Sequence, residues 1–130
     1  LMDLQVDLGL AYLFITHDLS VVEYLSHRVA VMYLGHIVEM ANTKTIFSSP
    51  KHPYTQALIS ASPVPDPNAD RSGRIILSGE VPSPINPPSG CPFRSRCPAA
   101  MPVCAERFPT FRTLPNGHEI ACHLLGDEGK

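Results

Sequence analysis

The chain has 130 residues, enough for one small domain or two sub-domain pieces. Its formal net charge is −2 and 17% of its residues are charged, with no basic stripe of the kind that nucleic-acid-binding proteins carry. The apolar runs are far too short to span a bilayer, and no secretory signal is visible. Because the chain begins inside a predicted helix, we expect a longer parent protein.

A sharp change of composition near Pro50 divides the chain. All 14 prolines lie between Pro50 and Pro115, and all four cysteines lie in or just after that half. We therefore predict an N-terminal part at residues 1–62 and a differently built part at 63–130, which we call the extension. Within the first part, the predicted pieces are an α/β segment at Leu1–Ser49 and a short helical connection at Pro50–Ser62.

Local patterns predict the elements of the first part in chain order. Leucines recur at helical spacing up to Leu8, and Gly9 is placed to end that helix. The apolar run Ala11–Thr16 predicts a central strand buried on both faces. Asp18 is the predicted N-cap of the next helix. The remaining predicted elements are a helix at Leu19–Ser26, a hairpin of Arg28–Tyr33 and His36–Met40, and helices at Thr43–Ser48 and Tyr54–Ser60.

Proline dominates the extension. Pro63–Gly73 is predicted to be a linker, and Ile75–Leu77 is predicted to be one short strand. Pro82–Gly90 cannot form a regular helix or a central strand, because proline fixes φ and lacks a backbone donor. A segment so poor in regular structure needs another means of support, which the cysteines that follow could supply.

His17 follows the predicted strand directly. In open α/β sheets, ligands bind beyond the carboxyl ends of the strands. An imidazole at such a place can bond a phosphate or hold a water molecule. A histidine there can equally do no more than satisfy local backbone groups, so spacing alone favours the plain structural role.

Longer stretches of sequence favour the functional role of His17 over the plain structural one. Residues 13–23, Leu-Phe-Ile-Thr-His-Asp-Leu-Ser-Val-Val-Glu, resemble the switch-histidine segment of ABC ATPases, and residues 28–39 resemble the hairpin that follows it. Residues 51–58, Lys-His-Pro-Tyr-Thr-Gln-Ala-Leu, resemble a segment of the peptide importers. Three runs are similar to the C-terminal extension of oligopeptide and dipeptide ATP-binding subunits: Ser-Gly-Glu-Val-Pro-Ser-Pro at 78–84, Asn-Pro-Pro-Ser-Gly-Cys at 86–91 and Arg-Cys-Pro at 96–98.

The resemblance implies an α/β fold: the C-terminal remnant of a P-loop ABC ATPase domain, followed by a proline-rich, irregular, cysteine-ligated extension. It implies that His17 is a catalytic and nucleotide-binding residue that contacts the γ-phosphate of Mg-bound ATP and helps to hold the attacking water. The phosphate loop G-x-x-x-x-G-K-[ST] does not occur in the chain. We therefore expect the fragment alone to be inactive, and vanadate-sensitive ATP turnover by a contaminant-free preparation would refute this.

The implied partners are a second ATP-binding subunit, transmembrane permease subunits and, indirectly, a peptide-binding protein. The implied location is peripheral, on the cytoplasmic face of the cell membrane. Nickel importers use closely similar subunits, so the solute stays open between peptides and nickel. The rival interpretation is a non-enzymatic metal-binding interaction module, and the sequence upstream of Leu1 would discriminate between the two.

Cys91, Cys97, Cys104 and Cys122 are separated by five, six and 17 residues. Neither the C-x-x-C hooks of structural zinc sites nor bacterial ferredoxin spacing occurs here. A [4Fe–4S] cluster is favoured because it fits the extension that the chain resembles; zinc is second, and unligated thiols or disulfides are third. We expect a structural site. Arg94 and Arg96 could offset its negative charge, and His118 and His123 are alternative ligands should one cysteine not bind.

Overall fold

The computed structural model describes residues 2–62, 68 and 74–125. The elements are α1 (Met2–Leu8), α2 (Leu19–Leu25), β1 (Arg28–Tyr33), β2 (His36–Asn42), α3 (Thr43–Ser48), α4 (Pro53–Ser60), α5 (Val103–Glu106), β3 (Phe111–Thr113), β4 (Glu119–Ala121) and a final 3₁₀ turn (His123–Leu125). Within these ranges no helix combines the length and the apolarity needed to cross a bilayer.

The four strands form one antiparallel sheet in the order β1-β2-β4-β3. The ladder between β1 and β2 is long, whereas β4 pairs with β2 only through Glu39↔Ile120 and Met40↔Glu119. Strands from both predicted parts therefore share one sheet, and the described residues form a small α/β unit. The boundary between residues 62 and 63 stays a prediction.

The β1–β2 hairpin is confirmed, with β2 running two residues beyond its predicted end. Leu34 and Gly35 form its turn, with φ values of +47° and +80°. Two successive residues in the left-handed region are typical of a type I′ turn, whose twist matches that of the flanking strands. Glycine adopts this backbone freely, whereas leucine does so at a cost of about 1–2 kcal/mol. The packing of Leu34 against the core helps to offset that cost.

Side-chain caps begin three of the helices, α2, α3 and α4. Asp18 accepts hydrogen bonds from Ser20 N and Val21 N at the start of α2, as predicted. Asn42 accepts from Thr45 N at the start of α3. These caps satisfy backbone donors that have no partner within the helix. The positions of the short helices are therefore set by residues adjacent to them in sequence.

The predicted strand Ala11–Thr16 does not form. This segment has no regular structure, and Leu13 and Ile15 are 91% and 92% exposed. A strand that is apolar on both faces needs neighbouring strands to bond its backbone and further layers to cover it. The described part of the chain places no strand beside the segment, so the prediction of a strand was wrong for this structure.

Two predictions concern the proline-rich half. Ile75–Leu77 is not a strand, because it has no ladder partner in the described residues. Pro82–Gly90 has no helix or strand, as predicted. The predicted linker Pro63–Gly73 lies outside the described residues except for position 68.

The buried core lies between the hairpin and the extension. Its members are Tyr33 and Val38 from the hairpin and Cys91, Phe93 and Cys104 from the extension. The rings of Tyr33 and Phe93 meet edge to face with centroids 5.2 Å apart. Neither α1 nor α2 buries a residue. The two predicted parts thus share one core, which lies in the same region as the cysteines.

Candidate functional site

His17 lies on the exposed turn that immediately precedes α2. The turn is held by short-range hydrogen bonds, since Asp18 N donates to Thr16 Oγ1 at 3.0 Å and Asp18 caps the helix. The imidazole therefore projects from an ordered turn and is not packed into the core. The strand end on which we expected His17 to lie is missing together with the strand, so its catalytic role stays a prediction.

Three of the four cysteines lie on one tightly folded loop. Its two ends meet where Cys91 N donates to Cys104 O at 2.7 Å. Gly90 makes this approach possible: it has a φ of +67°, and a Cβ built there would lie 2.2 Å from Cys104 O. Arg94 Nε donates to Ser89 O at 2.8 Å and so stabilises the chain next to Gly90.

The four thiols influence one another. Burial raises the pKa of Cys91 and of Cys97, and it raises the pKa of Cys122 to about 11. Charge on the other three cysteines raises the pKa of Cys122 further, while the N–H of Leu124 opposes the shift. Backbone N–H groups of Phe93 and Ala99 likewise lower the pKa values of Cys91 and Cys97. Cys91, Cys97 and Cys104 thus pack together in the core, Cys122 is near enough for their charges to raise its pKa, and His17 is not part of that core cluster.

All four cysteines are free thiols, so none of the disulfide pairings is formed. In the described ranges, no three His, Cys, Asp or Glu side chains converge closely enough to hold one metal ion. Backbone donors nevertheless point at the sulfurs, since Met101 N donates to Cys104 Sγ at 3.4 Å. The arrangement offers four sulfurs and several N–H groups that would stabilise negative charge on them.

The other residues proposed for this site have contacts of their own. Arg94 bonds Ser89, and the charge of Arg96 acts on the Tyr54 phenol, whose pKa is raised mainly by burial. His118 Nε2 contacts Glu39, and His123 Nε2 lies 3.0 Å from Arg107 O. These contacts involve one nitrogen of each ring, so the role of the two histidines as alternative ligands stays a prediction.

A second polar cluster, which the sequence analysis missed, is centred on Glu39. Its carboxylate accepts Lys51 N at 2.7 Å, His52 N at 2.9 Å and His118 Nε2 at 2.5 Å. The Glu39 side chain is 0% exposed and that of His118 is 1% exposed. An acidic residue in a strand otherwise looks like a member of its solvent face. No signal in the sequence indicates this contact, because His118 lies 79 residues from Glu39 along the chain.

One known family matches the stretch that runs from β2 through the cysteine loop. Residues 38–104 match the model of the family described as oligopeptide/dipeptide transporter, C-terminal region. The chain belongs to this family. The match begins in β2 and ends at Cys104, so it includes Glu39 and three of the four cysteines. The resemblance seen in the extension motifs is therefore confirmed.

Two relatives align with nearly the whole length of this chain. A putative oligopeptide transport ATP-binding protein of Bacillus subtilis, YkfD, is 53% identical over 122 residues, 93% of this chain and 37% of the relative. The probable peptide ABC transporter ATP-binding protein y4tS of Sinorhizobium fredii is 55% identical over 124 residues, 95% of this chain and 35% of the relative. The chain thus spans little more than a third of these relatives.

Proposed function

We propose that this chain is the C-terminal part of the ATP-binding subunit of an ABC importer that energises oligopeptide or dipeptide uptake. The observation that carries the proposal is the family match across residues 38–104, extended by relatives named as peptide-transport ATP-binding proteins over at least 93% of the chain. In the complete protein, the subunit would act with a second ATP-binding subunit and permease subunits at the cytoplasmic face of the membrane. A peptide-binding protein would deliver the solute.

Within that subunit, His17 would act on the γ-phosphate of Mg-bound ATP. The exposed turn before α2 supports this, because an imidazole there can reach a nucleotide held by residues outside this chain. Its ring would bond a γ-phosphate oxygen and hold the attacking water in line. Phosphoryl transfer depends mainly on such positioning and on charge stabilisation.

Replacing His17 with alanine in the complete, assembled transporter is expected to lower the rate of ATP hydrolysis by about 100-fold. ATP affinity should change little, because the phosphate-binding residues would be untouched. His27→Ala, at an exposed histidine beyond the other end of α2, is the matched control and should keep its activity. Steady-state ATPase assays decide the matter, and a His17→Ala rate within twofold of the control would remove this residue from the mechanism.

We also propose that Cys91, Cys97, Cys104 and Cys122 hold a structural [4Fe–4S] cluster. Support comes from their mutual influence and from the N–H groups directed at their sulfurs. One zinc ion needs four sulfurs at about 2.3 Å from a single point. A cluster takes one thiolate on each iron, so four cysteines would complete its ligand set. When bound, it would supply a cross-link between the cysteine loop and the end of β4.

The metal proposal is tested by anaerobic purification, metal and sulfide analysis and a visible spectrum. We expect about four irons per chain, a brown protein, and loss of both in Cys122→Ser. Chelation of the iron should also lower the thermal midpoint, because the binding free energy of a structural metal contributes to folding. A colourless protein that contains zinc would eliminate the cluster in favour of the second candidate metal.

A further inference from the structure

Besides the shared core, the extension is joined to the hairpin by a short β2–β4 ladder, which we call the seam. β2 and β4 share only the pairs Glu39↔Ile120 and Met40↔Glu119, whereas β1 and β2 share six pairs with one register shift between Val31 and Met32. Glu39 lies at this seam, and its carboxylate is the point where three segments meet. Because so short a ladder contributes few hydrogen bonds, the side chains buried beside it have a large share in holding the seam together.

Three buried groups make the connection: Glu39 on β2, His52 just before α4, and His118 just before β4. Glu39 takes the N–H groups of Lys51 and His52 on its two oxygens, and it takes His118 Nε2 on one of them. The carboxyl group of Glu39 is thus the shared acceptor for the Lys51–His52 backbone and the partner of the His118 ring.

The ring of His52 must also accept a hydrogen bond, and it can do so only when Nδ1 carries no proton. Tyr54 N donates to His52 Nδ1 at 3.1 Å, which caps α4, and the ring lies against Phe93 of the extension with centroids 5.7 Å apart. A proton on Nδ1 would end the cap and place a charge beside an aromatic ring in the core. A neutral His52 ring is therefore needed for the observed cap.

We propose that Glu39, His52 and His118 form a proton-sensitive latch, which holds the extension on the hairpin near neutral pH and releases it as the pH falls. Release breaks the β2–β4 seam and leaves the β1–β2 hairpin paired. The latch does not depend on the cysteines binding a metal or on the transport function proposed above.

The charged and titratable groups around His52 come from each element packed there. Glu39 faces it from β2, Tyr54 from α4 and His118 from the strand end across the carboxylate. Tyr33 from β1 and Arg96 from the extension act through Tyr54. Burial lowers the pKa of His52 from 6.5 to about 4, and the charge of Glu39 opposes this shift without cancelling it.

The sign of the pH dependence follows from that direction. In an unfolded chain His52 takes up a proton near pH 6.5, whereas in the closed latch it resists protonation down to about pH 4. The open state therefore binds more protons between these values, and closure is fully favoured only above pH 6.5. The contribution of His52 to closure is therefore lost progressively as the pH falls from 6.5 to about 4.

The test is an NMR titration of the full chain from pH 7.5 to 3.5. We expect the His52 ring to titrate near pH 4, and cross-strand proton contacts between Met40 and Glu119 to vanish before those between Val29 and Ala41. Simultaneous loss of both sets, or a His52 ring that titrates near 6.5, would overturn the latch. These measurements need only the unmodified chain.

Variants separate the members of the latch. Asparagine keeps an N-cap acceptor that does not titrate, so His52→Asn should hold the β2–β4 contacts at least one pH unit lower than the unmodified chain. His27→Asn, which changes an exposed histidine, should leave the titration unchanged. Glu39→Gln should raise amide exchange at Lys51 and His52 by roughly tenfold or more at pH 7. A His52→Asn profile identical to that of the unmodified chain would contradict the proposal.

Discussion

Replacing His118 with alanine should lower the free energy of unfolding of this chain by about 3–5 kcal/mol at neutral pH. The substitution removes the imidazole donor from a carboxylate that is 0% exposed, while the two backbone donors remain. A buried charge deprived of a partner keeps its desolvation cost, and that cost, more than the lost attraction, sets the size of the effect. Urea unfolding followed by circular dichroism measures it.

The chain offers a matched control for this experiment. Arg28 and Glu119 form an ion pair at 3.6 Å on the same sheet, with side chains 64% and 25% exposed. Water already solvates these charges, so Arg28→Ala should cost about 0–1 kcal/mol. Similar losses for the two variants would show that burial of Glu39 does not govern the stability of the seam.

Replacing Gly90 with alanine should cost about 3 kcal/mol or more and should open the cysteine loop. Two effects combine: a left-handed backbone costs a non-glycine residue about 1–2 kcal/mol, and overpacking costs about 1–3 kcal/mol more. The new Cβ would lie 2.2 Å from Cys104 O, which is a backbone atom and cannot rotate away. The bond from Cys91 N to Cys104 O would therefore be lost.

Gly117→Ala separates the two effects at Gly90. Gly117 has a φ of +82°, but a Cβ there meets nothing within 4 Å, so only the backbone cost applies. We expect this control to lose about 1–2 kcal/mol. Thiol labelling of the native protein should be faster in Gly90→Ala alone, because its loop exposes Cys91. Equal stability and equal labelling of the two variants would contradict a tight approach at Gly90.

Elements that depend on neighbouring residues could be predicted from the sequence. The hairpin is specified by a turn of Leu34-Gly35 between two apolar strands, and α2 by the cap at Asp18. The absence of helix or strand at Pro82–Gly90 follows from proline itself. The ordered extension motifs identified the family, which the match at residues 38–104 confirmed.

Predictions that depend on a distant partner succeeded less well. The run Ala11–Thr16 has the composition of a buried strand, but a strand forms only when others bond its edges. The roles of His17 and of the four cysteines also stay predictions. Each role needs a further group, a nucleotide for His17 and a metal for the cysteines, that does not come from the described residues. The composition of a segment indicates which secondary structure it can adopt, and contacts with other segments determine whether that structure forms.

The sequence by itself determined the local elements, the family and the set of chemically capable residues, because turns, caps and motifs act over a few positions. Only the tertiary structure decided that β4 joins β2, and that Glu39 is buried against His118, 79 residues away along the chain. The physical reason is that burial and electrostatic environment are properties of what surrounds a residue. A glutamate in a strand has the same sequence signature whether it faces water or, like Glu39, a buried imidazole.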